Sequence, residues 1–589
     1  MQAVYNIAEI CARHGITDVV LSPGSRSAPL TLAFARHPAL TVRVVPDERA
    51  AAFIGLGIAQ AQRRAVALVC TSGTAGLNYA PAVAEAFFQQ IPLVIFTADR
   101  PPEWIDQLDG QTIRQHNLYG AHAKGAFEFP GETAHPDAKW FSARMINEAI
   151  NLAQAAPAGP VQVNVPLREP FYPKAGEEIR YEQDVKIIRE IPLPSSNFGL
   201  IDSGIYPELK QAKQMLVVVG QQPANARVTA ALIKFAAIFG TPVVSDSIAN
   251  IASPIPIQQG SSAAYYPEAS SLLAPAGQVM THQDVFLAGM SVMAKQELRP
   301  DLLITFGQSL ISKSLKLFLR EAAPAQHWHI QATGPVADTF RSLTRIIRCE
   351  PEQFFSRWAP AELPAREILA SWQRAEAGAT ALLNSFFTLE VVFNEFSVFR
   401  TALAALLPHT ALHLANSMAV RYANILGIPL GQQIEVFANR GTSGIDGCTS
   451  TAVGAALAQP NRPVVLLTGD VAFFYDRNAF WHNYPLPNLR VVLFNNHGGG
   501  IFRMIDGPRQ QPELEEFFET RQTLTAENTA REFNLRYFPV SSFAELEAAL
   551  PVFFAAEASA ALLEVFTDSK TNAAFFEKYR SAVKTAFSS

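Results

Sequence analysis

The stretch from Pro463 to Ile505 restricts the fold more than any other part of the chain. An apolar run, Pro463-Val-Val-Leu-Leu-Thr468, ends in Gly469-Asp470. A helical pattern follows over Val471–Trp481. A second apolar run, Leu489-Arg-Val-Val-Leu-Phe494, then ends in Asn495-Asn496-His497-Gly498-Gly499-Gly500. Two buried strands with a helix between them form a βαβ unit, whose strands are parallel. Parallel sheets bind ligands beyond the carboxyl ends of their strands, where Asp470 and Asn496 both stand. An aspartate carboxylate, an asparagine amide oxygen and a backbone carbonyl of the glycine run are hard oxygen donors. They suit Mg²⁺, which keeps its other positions for water and phosphate oxygens. The stretch therefore predicts a metal-bridged diphosphate site. Gly, Asn and Asp also favour ordinary turns at strand ends, and that plainer reading stands beside the first.

The chain has 589 residues, 49% of them hydrophobic and 17% charged, which fits several domains with a large buried core. A net charge of −5 gives no footprint for nucleic acid. Cys11, Cys70, Cys349 and Cys448 lie far apart and form no CxxC pair, so a reducing, cytoplasmic setting is expected. Met1–His14 reads as an amphipathic helix containing Glu9 rather than as a leader. No apolar run approaches the roughly 18 residues of a membrane span.

The pattern divides into three α/β domains, over 1–178, 190–355 and 375–589, each a mostly parallel sheet flanked by helices. In the first, strands near 17–21, 41–45, 65–70 and 91–96 alternate with helices such as 48–62. Their polar loops, Ser22-Pro-Gly-Ser-Arg-Ser27, Thr71-Ser-Gly-Thr-Ala75 and Thr97–Glu103, all follow strands. The middle domain shows a strand near 216–220, a helix over 224–239 and strands near 241–245, 301–306 and 343–348. Linkers rich in charge and proline are expected near 168–200 and 350–366. A diffuse repeat relates Gly57–Ser72 to Gly454–Gly469: helix end, turn, buried strand, polar loop. Either the outer domains are related, or all βαβ units look alike.

Asn496 lies 26 residues after Asp470, which fits one crossover helix and one strand. Gly469-Asp470 followed by Asn495-Asn496 at this distance resembles the signature of the thiamine diphosphate enzymes, with Val471 where that signature usually has glycine. Four further segments narrow the resemblance: Ser22–Ser27, Ala98-Asp-Arg-Pro-Pro-Glu103, Asn416-Ser417 with Arg421, and Asn439-Arg-Gly-Thr-Ser-Gly-Ile-Asp-Gly447. Together they resemble the 2-succinyl-5-enolpyruvyl-6-hydroxy-3-cyclohexene-1-carboxylate synthases of menaquinone biosynthesis. The resemblance implies a pyrimidine-binding N-terminal domain, a middle domain and a C-terminal domain for the diphosphate and Mg²⁺, with Mn²⁺ as an alternative. It also implies decarboxylation of 2-oxoglutarate and addition of the succinyl-semialdehyde unit to isochorismate. The implied assembly is a homodimer or homotetramer with the active site at a subunit interface.

The resemblance also assigns residues. Asp470, Asn496 and the Gly498 carbonyl would hold the metal. Ser417, Arg440, Gly441 and Ser443 would lie along the cofactor, with Ile445 as its apolar support. Ser25, Arg26, Arg100, Gln111, Lys313, Arg421, Ile501, Phe502 and Ile505 would line the substrate and cofactor side. Glu48, in Pro46-Asp-Glu-Arg-Ala-Ala-Ala-Phe53 at the start of an apolar helix, would be the carboxyl group that meets the pyrimidine ring; burial there would favour its protonated form. A plainer role for Asp47 and Glu48 is to complement the helix N-terminus. Chemistry supports the cation set on its own terms. Both substrates are dianions, and guanidinium groups grip carboxylates bidentately. Arg26, Arg100, Arg421 and Arg440 all fall in ligand-edge loops, although single cations are usually solvated or ion-paired at a surface. Gly110 and His497 depart from the family pattern.

Two other readings keep parts of this picture. Another thiamine enzyme, acting on monoanionic 2-oxo acids, would retain the metal site and Glu48 but not need Arg26 and Arg100. A binding protein on the same α/β layers would retain the metal and phosphate contacts without turnover. A Rossmann dehydrogenase is disfavoured, because no GxGxxG follows the first strand.

Overall fold

The computed structural model describes residues 1–174, 178–191, 202–251, 278–358 and 366–588. Among the described residues, eighteen strands form three six-stranded sheets, and every strand pair is parallel. The first sheet contains β1 (Asp18–Leu21), β2 (Thr41–Val44), β3 (Val66–Cys70), β4 (Leu93–Asp99), β5 (Gly125–Glu128) and β6 (Val161–Pro166), in the order β2-β1-β3-β4-β6-β5. The second contains β7 (Met215–Val219), β8 (Val243–Ser245), β9 (Val279–Met280), β10 (Leu302–Phe306), β11 (Gln326–Ile330) and β12 (Arg345–Ile347), in the order β12-β11-β10-β7-β8-β9. The third contains β13 (Ala411–Leu414), β14 (Glu435–Phe437), β15 (Val464–Gly469), β16 (Leu489–Asn495), β17 (Arg536–Val540) and β18 (Ala561–Phe566), in the order β14-β13-β15-β16-β18-β17. The first and third sheets thus follow one plan and the second another. The repeat seen between Gly57–Ser72 and Gly454–Gly469 falls on equivalent elements, the helix and strand that lead to β3 and to β15.

The central strands are buried along their length, save the half-buried Gly469 at the end of β15, as their unbroken apolar runs require of sheets covered on both faces. Two of the apolar cores nevertheless cross the sheet boundaries. One apolar cluster joins the helix Glu48–Gln62 to the helix Cys448–Ala458. Another joins the middle unit to the third, with Trp372 of the long helix Glu367–Leu389 set 5.5 Å from Phe286, and Phe386 5.2 Å from Phe575. Residues 178–191, which read as linker, lie along the first unit: Asn6 Nδ2 donates to Glu182 (2.8 Å), and Asn147 takes up Lys186 O (3.0 Å) and Ile188 N (2.7 Å).

The helix expected over Val471–Trp481 is instead two pieces, a helix Asp470–Tyr475 and a 3₁₀ turn Arg477–Phe480. The break is at Asp476, whose buried carboxylate accepts from the Ser450 amide and hydroxyl, both at 2.7 Å. No helix of the described residues is long and apolar enough to cross a membrane.

The helices Glu48–Gln62 and Cys448–Ala458 cross backbone to backbone. A Cβ at Gly57 would lie 2.1 Å from Thr451 O, and one at Gly454 would lie 2.1 Å from Ile54 O. Neither neighbour is a side chain that can turn aside, so any added atom must push the helices apart. We expect Gly57→Ala to cost about 1–3 kcal/mol, the usual penalty of overpacking, read as a lower urea midpoint. An unchanged midpoint would show that the crossing has slack.

Candidate active site

Strands β15 and β16 end side by side, with Gly469 paired to Phe494. Asp470 opens the helix after β15, and Asn496 follows β16 directly. Asp470 is buried; its Oδ2 accepts from Gly498 N (2.7 Å) and Gln522 Nε2 (2.9 Å), and its Oδ1 from Val471 N (2.9 Å). Asn496 Nδ2 donates to Glu395 Oε2 at 3.0 Å, which leaves Oδ1 as the free end of the amide. That oxygen is buried and has no hydrogen-bond partner. Glu395 also accepts from Asn572 Nδ2 (3.2 Å). Burial pushes the Asp470 carboxyl up to about 6 and the Glu395 carboxyl up to about 7, the latter with the Asp470 charge adding to the effect. Among the described residues no lysine or arginine pairs with either group.

Two buried carboxyl groups and an unpartnered amide oxygen are costly unless a cation joins them. The donor set fits Mg²⁺ better than a metal that needs an all-protein cage. No group of three His, Cys, Asp or Glu side chains that could hold a metal occurs among the described residues. One carboxylate, one amide oxygen and the Gly498 carbonyl, which accepts from Gly500 N (2.9 Å), leave positions for water and phosphate.

Beside this end lies the loop from Asn439 to Gly447. Asn416 Nδ2 donates to Asn439 O (2.7 Å) and Gly444 O (2.6 Å), while its Oδ1 accepts from Arg440 Nη1 (2.9 Å). Ser417 (φ +73°), Ser443 (φ +65°) and His497 (φ +63°) all adopt the left-handed region, a cost for non-glycine residues that clusters at functional loops. The Arg421 guanidinium donates to Ser417 O. Burial, and then the charge of Arg421, hold the Arg440 guanidinium below its usual range, and Arg440 Nε is buried without a partner. Ile445 and Ile501 are half-buried against the core, Phe502 stands 5.9 Å from Phe518, and Ile505 is exposed.

The N-terminal residues form a second cluster at the edge of the first sheet. Gly24 approaches Thr71 so closely that a Cβ would lie 2.2 Å from its side chain, and Gly73 packs on the backbone of Gln111. Arg26 is buried, donates Nη1 to Leu167 O (3.0 Å) and stacks 4.5 Å from the Phe171 ring. Arg100 Nε donates to Gly110 O (3.2 Å) and pairs with Asp109 at 2.9 Å. Ser25 and Gln111 are exposed, as is Lys313, the first residue of the helix Lys313–Ala322. Glu48 is half-buried rather than buried, because it opens its helix and the fully buried run begins only at Ala50. Its neighbours dock on the third unit: Asn478 Nδ2 donates to Asp47 (2.8 Å), and Arg49 Nη2 to Tyr475 O (2.8 Å). Among the described residues, no hydrogen bond or ion pair joins Ser25, Arg26, Arg100 or Gln111 to Asp470 or Arg440.

Sequence reasoning passes over Glu395 and Gln522, which hold Asn496 and Asp470. Glu395 follows an ordinary helix cap, Asn394, and Gln522 lies in a polar stretch, so neither carries a local signal.

Residues 1–120 match the N-terminal TPP binding domain of thiamine pyrophosphate enzymes, residues 266–414 the middle domain of thiamine pyrophosphate, and residues 430–565 the C-terminal TPP binding domain. The fold agrees: the crystal structure of benzoylformate decarboxylase from Polynucleobacter necessarius superposes with a TM-score of 0.68 at 17% identity, covering 97% of this chain and 99% of that one. The chain is therefore a thiamine diphosphate enzyme in its fold and its domain families. Its relatives are more specific. The 2-succinyl-5-enolpyruvyl-6-hydroxy-3-cyclohexene-1-carboxylate synthase of Cytophaga hutchinsonii is 44% identical over 100% of both chains. Those of Flavobacterium johnsoniae (36%; 98% of this chain, 97% of the relative) and Porphyromonas gingivalis (38%; 96% and 94%) carry the same name. The chain belongs to this synthase family, whose members are transferases of aldehyde or ketone residues.

If Glu395 orients the Asn496 amide, Glu395→Leu should fold but bind Mg²⁺ about 10- to 100-fold more weakly, the range for losing a partner behind a metal ligand. Titration calorimetry with thiamine diphosphate present reads this directly. Undiminished affinity would mean that Asn496 is aimed by something else.

Proposed function

We propose that the chain decarboxylates 2-oxoglutarate and adds the succinyl-semialdehyde unit to isochorismate, with thiamine diphosphate and Mg²⁺ (or Mn²⁺) as cofactors. The observation that carries this beyond the family is the set of partners of Arg421 and Arg440. Among the described residues neither guanidinium bonds a carboxylate: Arg421 donates to Ser417 O and Arg440 to Asn416 Oδ1. Such a place favours an anionic ligand, and both substrates and the diphosphate are anions.

Thiamine diphosphate, when bound, supplies the electron sink for decarboxylation. The protein's own residues do the rest. Asp470, Asn496 and the Gly498 carbonyl would hold the divalent metal, which would supply positive charge for the diphosphate. Arg440, Ser417, Gly441 and Ser443 line its path, and Ile445 supports the cofactor from the apolar side. Glu48 would present its carboxyl group to the pyrimidine ring. Arg26, Arg100, Lys313 and Arg421 bind the substrate carboxylates, with Ser25, Gln111, Ile501, Phe502 and Ile505 shaping the same space. Asp109 already occupies Arg100, so a substrate carboxylate there competes with it.

The active unit in this reading is at least a homodimer. Leu77, Phe88, Tyr475 and Trp481 are each about half exposed in the single chain, on the two units that carry Glu48 and Asp470. Exposed aromatic and apolar side chains of this kind suit a subunit interface. Sedimentation should then give at least twice the 64.2 kDa chain mass. A fully active monomer would overturn the assembly.

Release of CO₂ from 2-oxoglutarate should require thiamine diphosphate and a divalent metal and should rise when isochorismate is added. Release from pyruvate alone would instead indicate an enzyme for monoanionic 2-oxo acids. Glu48→Gln should fold and bind cofactor, yet lose about 10²-fold or more in turnover, the low end of acid–base contributions. Turnover like that of the unaltered chain would remove Glu48 from the chemistry.

A further inference from the structure

The loop Asn439–Gly447 has no regular structure until its helix begins at Cys448, yet it carries Arg440, Gly441, Ser443 and Ile445. Something must hold it in one shape. Its own unit supplies Asn416, and the middle unit supplies two donors: Ser309 Oγ to Arg440 O (2.8 Å) and Gln221 Nε2 to Ala438 O (2.9 Å). The tip is held from the first unit. Glu85, on the helix Ala80–Gln89, accepts from Gly441 N and Thr442 N, both at 2.7 Å, and from Thr442 Oγ1 at 2.5 Å.

Glu85 is 1% exposed, and no lysine or arginine among the described residues forms an ion pair with it. A buried carboxylate without a counter-ion is costly unless several donors serve it. Here the donors are two successive backbone amides, a hydroxyl and Gln89 Nε2 (2.5 Å). Two adjacent amides turned toward one anion fix the backbone between them. The fit is close: a Cβ at Gly441 would lie 2.7 Å from Glu85 O, so the loop rests on the helix backbone itself.

We propose that Glu85 is a positioning residue for the cofactor. It holds the tip of the Asn439–Gly447 loop in the shape that presents Arg440 and Ser443 to the diphosphate, so that the first unit of a chain shapes the cofactor loop of that chain's own third unit. The inference rests on the reading that this loop binds thiamine diphosphate.

Glu85→Gln tests it, because an amide keeps the size of the side chain but replaces one acceptor with a donor that faces a backbone N–H. The dissociation constant of thiamine diphosphate, measured by calorimetry with Mg²⁺, should rise about tenfold, as expected for about one lost charge-assisted hydrogen bond. The KM for thiamine diphosphate should rise in parallel, while kcat at saturating cofactor stays within about twofold, a split that general loss of folded protein would not produce. Thr442→Val, which removes only the hydroxyl contact, decides the question if Glu85→Gln is insoluble; it should weaken cofactor binding by a few fold. If the unaltered chain binds thiamine diphosphate and the soluble variants bind it equally well, the positioning role is wrong. If the unaltered chain does not bind it, the reading of the loop itself fails.

Discussion

The contact of Gly57 with Thr451 and of Gly454 with Ile54 decides where everything else sits. It brings the helix after β2 against the helix after β14 with no side chain between them, and the apolar residues around it merge into one core. Once this crossing is set, Asp47 and Arg49 reach Asn478 and Tyr475, and the helix that bears Glu85 comes to rest beneath the loop of Arg440. Close backbone approach demands glycine, because any Cβ here meets a carbonyl oxygen rather than a movable side chain. The relation of the first unit to the third is thus carried by two residues without side chains, and the polar contacts follow from it.

The strand ends at Asp470 and Asn496 work on the opposite principle, by leaving groups unsatisfied. Asp470 and Glu395 sit in surroundings that disfavour their charged forms, and Asn496 turns a bare oxygen into the same buried space. A divalent cation relieves all three at once, which is why hard oxygen donors at strand ends serve well when a phosphate completes the coordination. Arg421 and Arg440 are the complementary case: among the described residues each guanidinium bonds a neutral oxygen and no carboxylate.

Much of this is legible in the sequence because the decisive signals are local. Unbroken apolar runs identify the parallel strands, the helix Glu48–Gln62 matches its expected span, and the distance from Asp470 to Asn496 reflects one crossover. Interactions between distant positions leave no such trace. Glu395 and Asn496 are 101 residues apart, Glu85 and Gly441 are 356 apart, and each looks ordinary in its own neighbourhood. The helix after Asp470 is shorter than its apolar pattern suggests, because that pattern continues through Asp476, while the hydrogen bonds that interrupt it come from Ser450. The apolar helix opened by Glu48 suggests a buried carboxyl group, but a helix buries its interior turns before its first residue.

The segment after the glycine run is bound to the ends of β15 and β16. Gln522 donates to Asp470, Glu519 O accepts from Gly499 N (2.7 Å), and buried Glu519 is tied to Arg503. Residues 503–522 therefore share their resting place with the oxygens that would hold the metal. Free-energy coupling of this kind is reciprocal. Whatever strengthens the grip on the ion must steady this segment by an equal amount, and whatever loosens the segment must lower the affinity for the ion to match.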